Sequence, residues 1–198
     1  MSLAAGTNFL ESERLILRRI ERIDFDFFTG IQADPEVARY IGSGHPRSRL
    51  ESHAWLTDTM DAYARCGLGQ LAVLRKADGV LVGRCGFSDA AIEAIPQPSK
   101  LARGWFSRTT APADLEMSFE PELGYTFGRE YWGHGYATEA VGCVFNYARK
   151  VLELPKMMSL IHAENVRSLK LADRFGVRRL DTIEVLSRPF DRYEWPAL

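Results

Sequence analysis

The hydrophobic positions of the first third of the chain follow one strand-like and two helix-like patterns. Aliphatic residues are dense in RLILRRI (Arg14–Ile20), which predicts a strand, and the stretch that begins at Asp24 carries a short apolar stripe typical of a helix. In SRLESHAWLTDTMDAYARCG, Leu56, Met60 and Tyr63 recur at helical spacing, and Gly67 is well placed to end that helix. The pattern therefore predicts a strand followed by two helices.

The middle of the chain alternates between clear strand patterns and a stretch without periodicity. The segments GQLAVLRK and VLVGRCGFSD flank ADG, whose Asp-Gly pair is typical of a hairpin turn. From Ala90 to about Pro112 the pattern is lost among prolines, hydroxyl residues and scattered basic residues, so we expect an irregular insertion at about residues 88–114. DLEMSFEPELGYTFG returns to a strand pattern, in which Pro121 indicates an edge, a bulge or a break.

The last third contains the strongest helical pattern. One apolar stripe with a 3.6-residue period runs from Ala137 to Leu152 and predicts a long amphipathic helix. KMMSLIHA follows as a strand, and ENVRSLKLADRFG as a shorter helix, with Asn165 as its cap and Gly176 as its end. VRRLDTIEVL and RPFDRYEW close the chain as two strands. The order predicts an α/β (α+β) fold in one domain over 1–198, with a mixed sheet and helices on both faces.

Composition and charge narrow the classes of function. Of the 198 residues, 46% are hydrophobic and 26% are charged, which is an ordinary globular mixture. The net charge of −1 supplies no overall attraction for nucleic acid or for an anionic membrane, and no apolar run is long enough to span a bilayer. The first fifteen residues lack the pattern of a secretory signal, and three widely spaced cysteines suggest neither a zinc site nor a disulfide framework. We therefore expect a cytoplasmic protein without a metal.

The segment EYWGHGYATEA places two glycines directly before the strongest helix. The first amides of a helix have no partner within the helix and lie at the positive end of its dipole, so glycines in front of them favour a phosphate site. The lysine of a P-loop and the third glycine of a dinucleotide fingerprint are both missing, which argues against those two kinds of site. A glycine-rich turn that binds nothing is the other interpretation.

The longer run ELGYTFGREYWGHGYATEAVGCVFNYA, followed by HAENVRSLKLADRFGV, resembles the GNAT acetyltransferase superfamily and its RimJ/RimL-like branch. The resemblance is strong over about 122–177, weaker over 14–87, and absent over about 88–119. It implies the GNAT fold, with a mostly antiparallel twisted sheet of about seven strands, and acetyl-CoA as cosubstrate. It also implies that the amides of one turn hold the pyrophosphate, namely those of Trp132, Gly133, His134, Gly135, Tyr136 and Ala137, with the hydroxyl of Thr138 nearby. Trp132 departs from the Gln or Arg of the general signature but matches the form common in this branch.

The resemblance further implies residues for acetyl transfer to an amine. Glu122 is the expected base, with Glu116 and Glu120 as rivals because Pro121 leaves the register open, and Ser168 is the expected proton donor to the leaving thiolate. Asn165 is expected to bond the pantetheine arm. Backbone amides near Tyr125, Thr126 and Phe127 are expected to hold the thioester oxygen. The side chains also have structural interpretations. Glu122 is an ion-paired edge glutamate in that case, Ser168 an ordinary first-turn serine and Asn165 a helix cap. For His134 the alternative is a solvent-facing ring.

The acceptor is less well defined by the sequence. An N-terminal protein amine and a small-molecule amine both remain open, as does a non-catalytic acyl-CoA-binding module of the same fold, and the chain is expected to be a monomer or a homodimer. The insertion carries both basic and aromatic residues, which are Lys100, Arg103, Trp105, Phe106 and Arg108. They are candidates to cover the acceptor pocket, to contact an acidic partner or to build a dimer interface, and a disordered segment is the fourth alternative.

Overall fold

The computed structural model describes residues 9–96, 100–106 and 110–197, so Arg108 of the predicted insertion lies outside the described residues. Five α-helices and nine β-strands are found in these ranges. The helices are α1 (Phe25–Ala33), α2 (Pro35–Ala38), α3 (Arg49–Cys66), α4 (Tyr136–Lys150) and α5 (Val166–Arg174). The strands are β1 (Phe9–Glu11), β2 (Leu15–Arg19), β3 (Gln70–Arg75), β4 (Leu81–Glu93), β5 (Gly104–Phe106), β6 (Met117–Phe127), β7 (Met158–Ile161), β8 (Arg178–Val185) and β9 (Arg188–Glu194).

The strands form one mixed sheet in the order β1-β2-β3-β4-β6-β7-β9-β8, with β5 paired to β4. Every neighbouring pair is antiparallel except β6 and β7. The prediction of about seven strands is confirmed for the longer ones, and the two additional strands, β1 and β5, have three residues each. Segments this short carry too little alternation to be recognised in a sequence.

Helices cover both faces of the sheet, as the sequence predicted. Along β3 the side chains alternate, so that Leu71 and Val73 join the core beneath α4 and α5, whereas Ala72 joins the core beneath α1 and α3. The residues of α4 at Ala140, Val141, Val144 and Ala148 are at most 1% exposed. Val151, which the sequence placed on the same stripe, lies beyond the end of α4 and is 60% exposed.

The predicted helix boundaries agree with local cap chemistry. Ser48 begins α3 with a capping box that includes Glu51, and Gly67 ends it in the left-handed conformation at φ +70°. Asn165 caps α5 by accepting a hydrogen bond from the amide of Ser168 at 3.3 Å. Helix ends are well predicted because they depend on residues close together in the chain.

The predicted insertion at 88–114 was wrong in its extent. Residues 88–93 continue β4 and pair with β6, and Gly104–Phe106 form β5 against the end of β4. The amide of Glu184 in β8 donates to the carbonyl of Ala102 at 2.8 Å, so the segment 102–106 contacts the two strands β4 and β8. These pairings join distant parts of the sheet and close this half into a barrel-like arrangement, which local propensity could not reveal.

Pro121 does not interrupt its strand. It lies within β6 and opposite Asp89 of β4, whereas β7 pairs with β6 only at Glu122 and Met158. The missing amide of Pro121 is tolerated because β6 has no neighbour on that side before Glu122. Of the three options that the sequence left open, the structure agrees with a local edge.

Candidate functional site

The glycine-rich turn has a backbone that favours glycine at two positions. Gly133 and Gly135 have φ values of +83° and +81°, in the left-handed region where a side chain is strained, and Gly135 is the N-cap residue directly before α4. The first amides of α4 therefore follow directly from this turn, at the positive end of the helix dipole. The backbone of the turn agrees with the predicted glycine-rich helix start, and an anion bound there stays a prediction.

Arg14 attaches this turn to the sheet, a contact that sequence reasoning missed. Its Nε donates to Glu139 in the first turn of α4 at 2.7 Å, and its Nη1 donates to the carbonyl of His134 at 3.1 Å. The backbone amide of Arg14 donates to the same carboxylate at 2.7 Å. Arg14 therefore holds the turn in place, because its three hydrogen bonds reach Glu139 and His134, more than one hundred positions away in the chain.

The strands β6 and β7 diverge beside the turn. They pair only at Glu122 and Met158, and the hydroxyl of Ser159 donates to the carbonyl of Leu123 at 2.6 Å. The amide of Gly128 donates to Val82 of β4, and because bonded positions alternate along an antiparallel pair, the amides of Tyr125 and Phe127 point away from β4. They face the gap that opens between β6 and β7.

A cleft of about 690 Å³ joins the gap, the turn and the start of α5. It contains most of the residues that the sequence predicted for the site, brought together from three parts of the chain. These are Tyr125, Thr126, Phe127, Trp132, Gly133, Gly135, Tyr136, Ala137, Thr138, Asn165 and Ser168. Lys170 and Arg174 of α5 also line it and add positive charge.

Two predicted residues, His134 and Glu122, do not line this cleft. The imidazole of His134 is exposed and stacks on Tyr136 with ring centres 5.6 Å apart, which agrees with the solvent-facing alternative for its side chain. Only its backbone belongs to the turn. At a helix start, the backbone amide of a residue can point toward a bound anion even when its side chain points into solvent.

Glu122 is buried on the opposite face of the sheet, toward α1 and α3. It is 8% exposed, and its Oε2 accepts a hydrogen bond of 2.6 Å from the indole nitrogen of Trp105 in β5. Burial raises the pKa of Glu122, opposed by the Trp105 hydrogen bond, the charge of Arg84 and the amide of Leu160. The alternative of an ion-paired edge glutamate is wrong, because β4 and β7 flank this position and the direct partner is an indole.

The two rival carboxylates have different environments. Glu116 precedes β6 and is exposed, and Glu120 lies 3.6 Å from the guanidinium of Arg192 in β9. Glu122 is the most buried of the three. The difference follows from the register of β6, which the sequence left open.

Ser168 has a partner that the sequence did not reveal. Its side chain hydrogen-bonds with the hydroxyl of Tyr125, and burial raises the pKa of that phenol to about 12, with the hydrogen bond opposing the rise. The family resemblance implied a role only for the backbone amide of Tyr125. The alternation that directs its amide into the gap places its side chain on the α4 and α5 face, beside the start of α5.

Trp132 stands where the general signature has Gln or Arg, and its side chain contacts two neighbouring elements. Its indole nitrogen donates to the carbonyl of Phe127 at 2.9 Å, and the guanidinium of Arg167 lies 4.4 Å from the ring centre. The side chain thus connects the end of β6 with α5 across the cleft. Its role in the turn is to fix the walls of the cleft.

Neither a metal cluster nor a membrane span is found in the part of the chain that the structure describes. Within it, no three His, Cys, Asp or Glu side chains are grouped so that they could hold a metal ion. None of its helices combines the length and the hydrophobicity that crossing a membrane requires.

A family profile described as acetyltransferase (GNAT) domain matches residues 14–178, which is most of the chain. The chain belongs to the GNAT acetyltransferase family. The uncharacterized N-acetyltransferase p20 of Bacillus licheniformis is 25% identical over 170 residues, covering 86% of this chain and 82% of that protein. Membership in the family supports acetyl-CoA as the acetyl donor of this GNAT protein.

Solved structures share the fold. An acetyltransferase from Agrobacterium tumefaciens superposes with a TM-score of 0.71 at 22% identity, covering 99% of this chain and 98% of that one. The ribosomal-protein α-N-acetyltransferase RimL in complex with coenzyme A gives a TM-score of 0.68 at 12% identity, covering 96% and 98%. At these identities the likeness concerns the fold, and it agrees with the RimJ/RimL-like resemblance of the GNAT sequence motif.

Proposed function

We propose that this GNAT protein transfers the acetyl group of acetyl-CoA directly to a primary amine, either a protein N-terminus or a small molecule. One observation carries the proposal: the left-handed glycine turn and the divergent strands β6 and β7 open into the same cleft. The turn suits a pyrophosphate, and the gap suits an extended arm that ends in a thioester.

In the proposed reaction the amine nitrogen attacks the thioester carbonyl carbon, so a C–N bond forms and the C–S bond breaks. The amine must first lose a proton, because an ammonium has no lone pair. Glu122 takes it, and a raised pKa suits a base that works near neutral pH. Since Glu122 does not line the cleft, the proton passes to it through a water molecule.

Charge develops on two other atoms during the reaction. The thioester oxygen becomes negative as the nitrogen attacks, and the amides of Tyr125 and Phe127 face the gap where it would lie. The sulfur leaves as a thiolate and takes a proton from Ser168, whose hydroxyl is hydrogen-bonded to Tyr125. A phenol with a pKa of about 12 stays protonated at neutral pH and can resupply that proton.

The turn is tested by placing a carboxylate in the phosphate site. We expect Gly135→Glu to weaken coenzyme A binding at least about tenfold, because a side-chain charge would repel the phosphates. Isothermal titration calorimetry measures this. Gly79→Glu is the matched control, since Gly79 has a similar φ of +70°, lies in a distant hairpin turn and has open space around its Cα.

Equal affinity of wild type and Gly135→Glu, with Gly79→Glu also unchanged, would contradict the phosphate site. Turnover is tested separately by thiol release from acetyl-CoA with a panel of amines and N-terminal peptides. Binding without release on any acceptor would favour the non-catalytic acyl-CoA-binding module of the same fold.

A further inference from the structure

Two guanidinium groups meet at one indole ring on the α1 and α3 face of the sheet. The guanidinium carbons of Arg84 in β4 and Arg47, just before α3, lie 5.4 Å and 5.9 Å from the ring centre of Trp55. Burial lowers the pKa of Arg84 to about 10, with the charge of Arg47 adding to this effect, and burial also lowers the pKa of Arg47. Two like charges are therefore held together in a partly desolvated place.

Neither guanidinium has a carboxylate bonded to it among the residues that the structure describes. Arg84 Nη1 donates to the side-chain oxygen of Gln70 at 2.7 Å, which is a neutral acceptor. The acids that act on the pair electrostatically are Glu51 and Glu122. Both are engaged elsewhere, Glu51 by the Ser48 capping box and Glu122 by Trp105.

Two buried hydroxyls on this face of the sheet have no hydrogen-bond partner among the residues that the structure describes. Thr126 lies opposite Arg84 in the β4–β6 register, is 7% exposed and lines the cleft. Ser52 is 1% exposed and precedes Trp55 by three positions on α3, so the two share a face of the helix. A buried hydroxyl without a partner lowers the stability of the fold, and a ligand atom that accepts its hydrogen bond would restore that stability.

We propose that Arg47, Arg84 and Thr126 form a subsite for a carboxylate on the acceptor, so that the preferred substrate is an amine that also carries an anionic group. The inference rests on the proposed acetyl transfer. Thr126 lies on the same face of β6 as Glu122, and Gly124 stands between them without a side chain. Thr126 lines the cleft and Arg84 lies opposite it in the β4–β6 register, so a carboxylate that enters the cleft there would meet these two groups. The side-chain amide of Gln70 lies over Gly124, between these groups and the base.

The test uses amines that differ only in the carboxylate. The probes are phenylalanine against phenethylamine, 6-aminohexanoate against pentylamine, and the C-terminally amidated peptide Ser-Asp-Ala against Ser-Asn-Ala with the same amidated end. The first two pairs represent small molecules and the third a protein N-terminus. We expect kcat/KM to favour the carboxylate member of at least one pair by about tenfold or more.

Variants connect that preference to the subsite. Thr126→Val removes a hydroxyl that has no partner in the structure, and we expect it to reduce the carboxylate preference through KM while the fold remains intact. Arg84→Gln should abolish the preference and leave the affinity for acetyl-CoA unchanged, which also reports correct folding. Arg49→Gln is the control, because Arg49 is 67% exposed and pairs with Asp26 on the surface.

Each outcome decides one of the two proposals. If the amines without the carboxylate are acetylated as efficiently as their partners, or the preference survives both variants, the subsite is overturned and acetyl transfer stands. If no amine of either kind is acetylated, both proposals fail together. A carboxylate preference that is lost in Thr126→Val and Arg84→Gln, and kept in Arg49→Gln, supports the subsite.

Discussion

The chemistry of Glu122 depends on its surroundings more than on its own type. A carboxylate on an exposed strand would be an ordinary surface charge, but here burial raises the pKa of Glu122. The Trp105 hydrogen bond of 2.6 Å opposes that rise by favouring the ionised form. The balance leaves a carboxyl group of raised pKa at a position that is 8% exposed.

For this single residue we expect Glu122→Gln to lower turnover by about 10²-fold near neutral pH and by less at high pH. The reason is that an amine loses its proton unaided when the pH is high, so the base then contributes little. A pH–rate profile of wild type and variant measures the difference. If the ratio of the two rates does not change with pH, Glu122 does not act as the base.

Strand β5 supplies the partner of Glu122 from outside the two sequence runs that carry the GNAT resemblance. It is bound between β4 and β8, and Trp105 packs against the small core that contains Ile92, Ile183 and Phe190. The indole is therefore held by packing as well as by its hydrogen bond. We conclude that this element positions the candidate base as well as covering it.

Trp105→Phe tests that role, because phenylalanine keeps an aromatic ring and loses the N–H donor. Without the donor the ionised form of Glu122 is less favoured, its pKa rises further, and the acidic limb of the pH–rate profile should move up by about one to two pH units. Phe106→Leu, at the next position of the same strand, should leave that limb in place. Equal shifts in the two variants would indicate a general loosening of β5.

At the scale of the whole molecule, β6 and β7 form the two walls of a wedge. Away from the gap, Arg149 of α4 connects the helix with the end of β9. Its guanidinium donates to the carbonyls of Leu154 and Trp195 at 2.6 and 3.1 Å. Trp195 in turn packs against Phe145 and Phe175, with ring centres 5.3 and 5.4 Å apart. On the side of the gap, β6 and β7 have no backbone pairing along Tyr125 to Phe127 in the described residues.

A ligand that fills the wedge should therefore stabilise the entire fold. At coenzyme A concentrations of about one hundred times Kd we expect Tm to rise by roughly 5 to 10 °C. Differential scanning calorimetry of wild type and Gly135→Glu compares the two directly, and the variant should show a much smaller rise at the same concentration. An equal rise in both would place the ligand outside the glycine turn.

The comparison of sequence and structure is informative where the two disagree. Helix ends at Gly67 and Asn165 and the two hairpin strands around Gly79 were predicted correctly, since caps and turns depend on neighbours in the chain. The insertion was predicted as irregular because its strand β5 has three residues and is stabilised only by its partners. The partner of Ser168 was missed because Tyr125 lies 43 positions away.

The sequence by itself determined the order of the longer elements and the glycine turn before α4, because each depends on local conformation or on a contiguous motif. Only the tertiary structure decided that Trp105 bonds Glu122, that Tyr125 supports Ser168 and that Arg47 and Arg84 meet at Trp55. These are contacts between residues far apart in the chain, and they follow from strand register and sheet curvature. Periodicity fixes which face a side chain takes, but not the neighbour that it finds there.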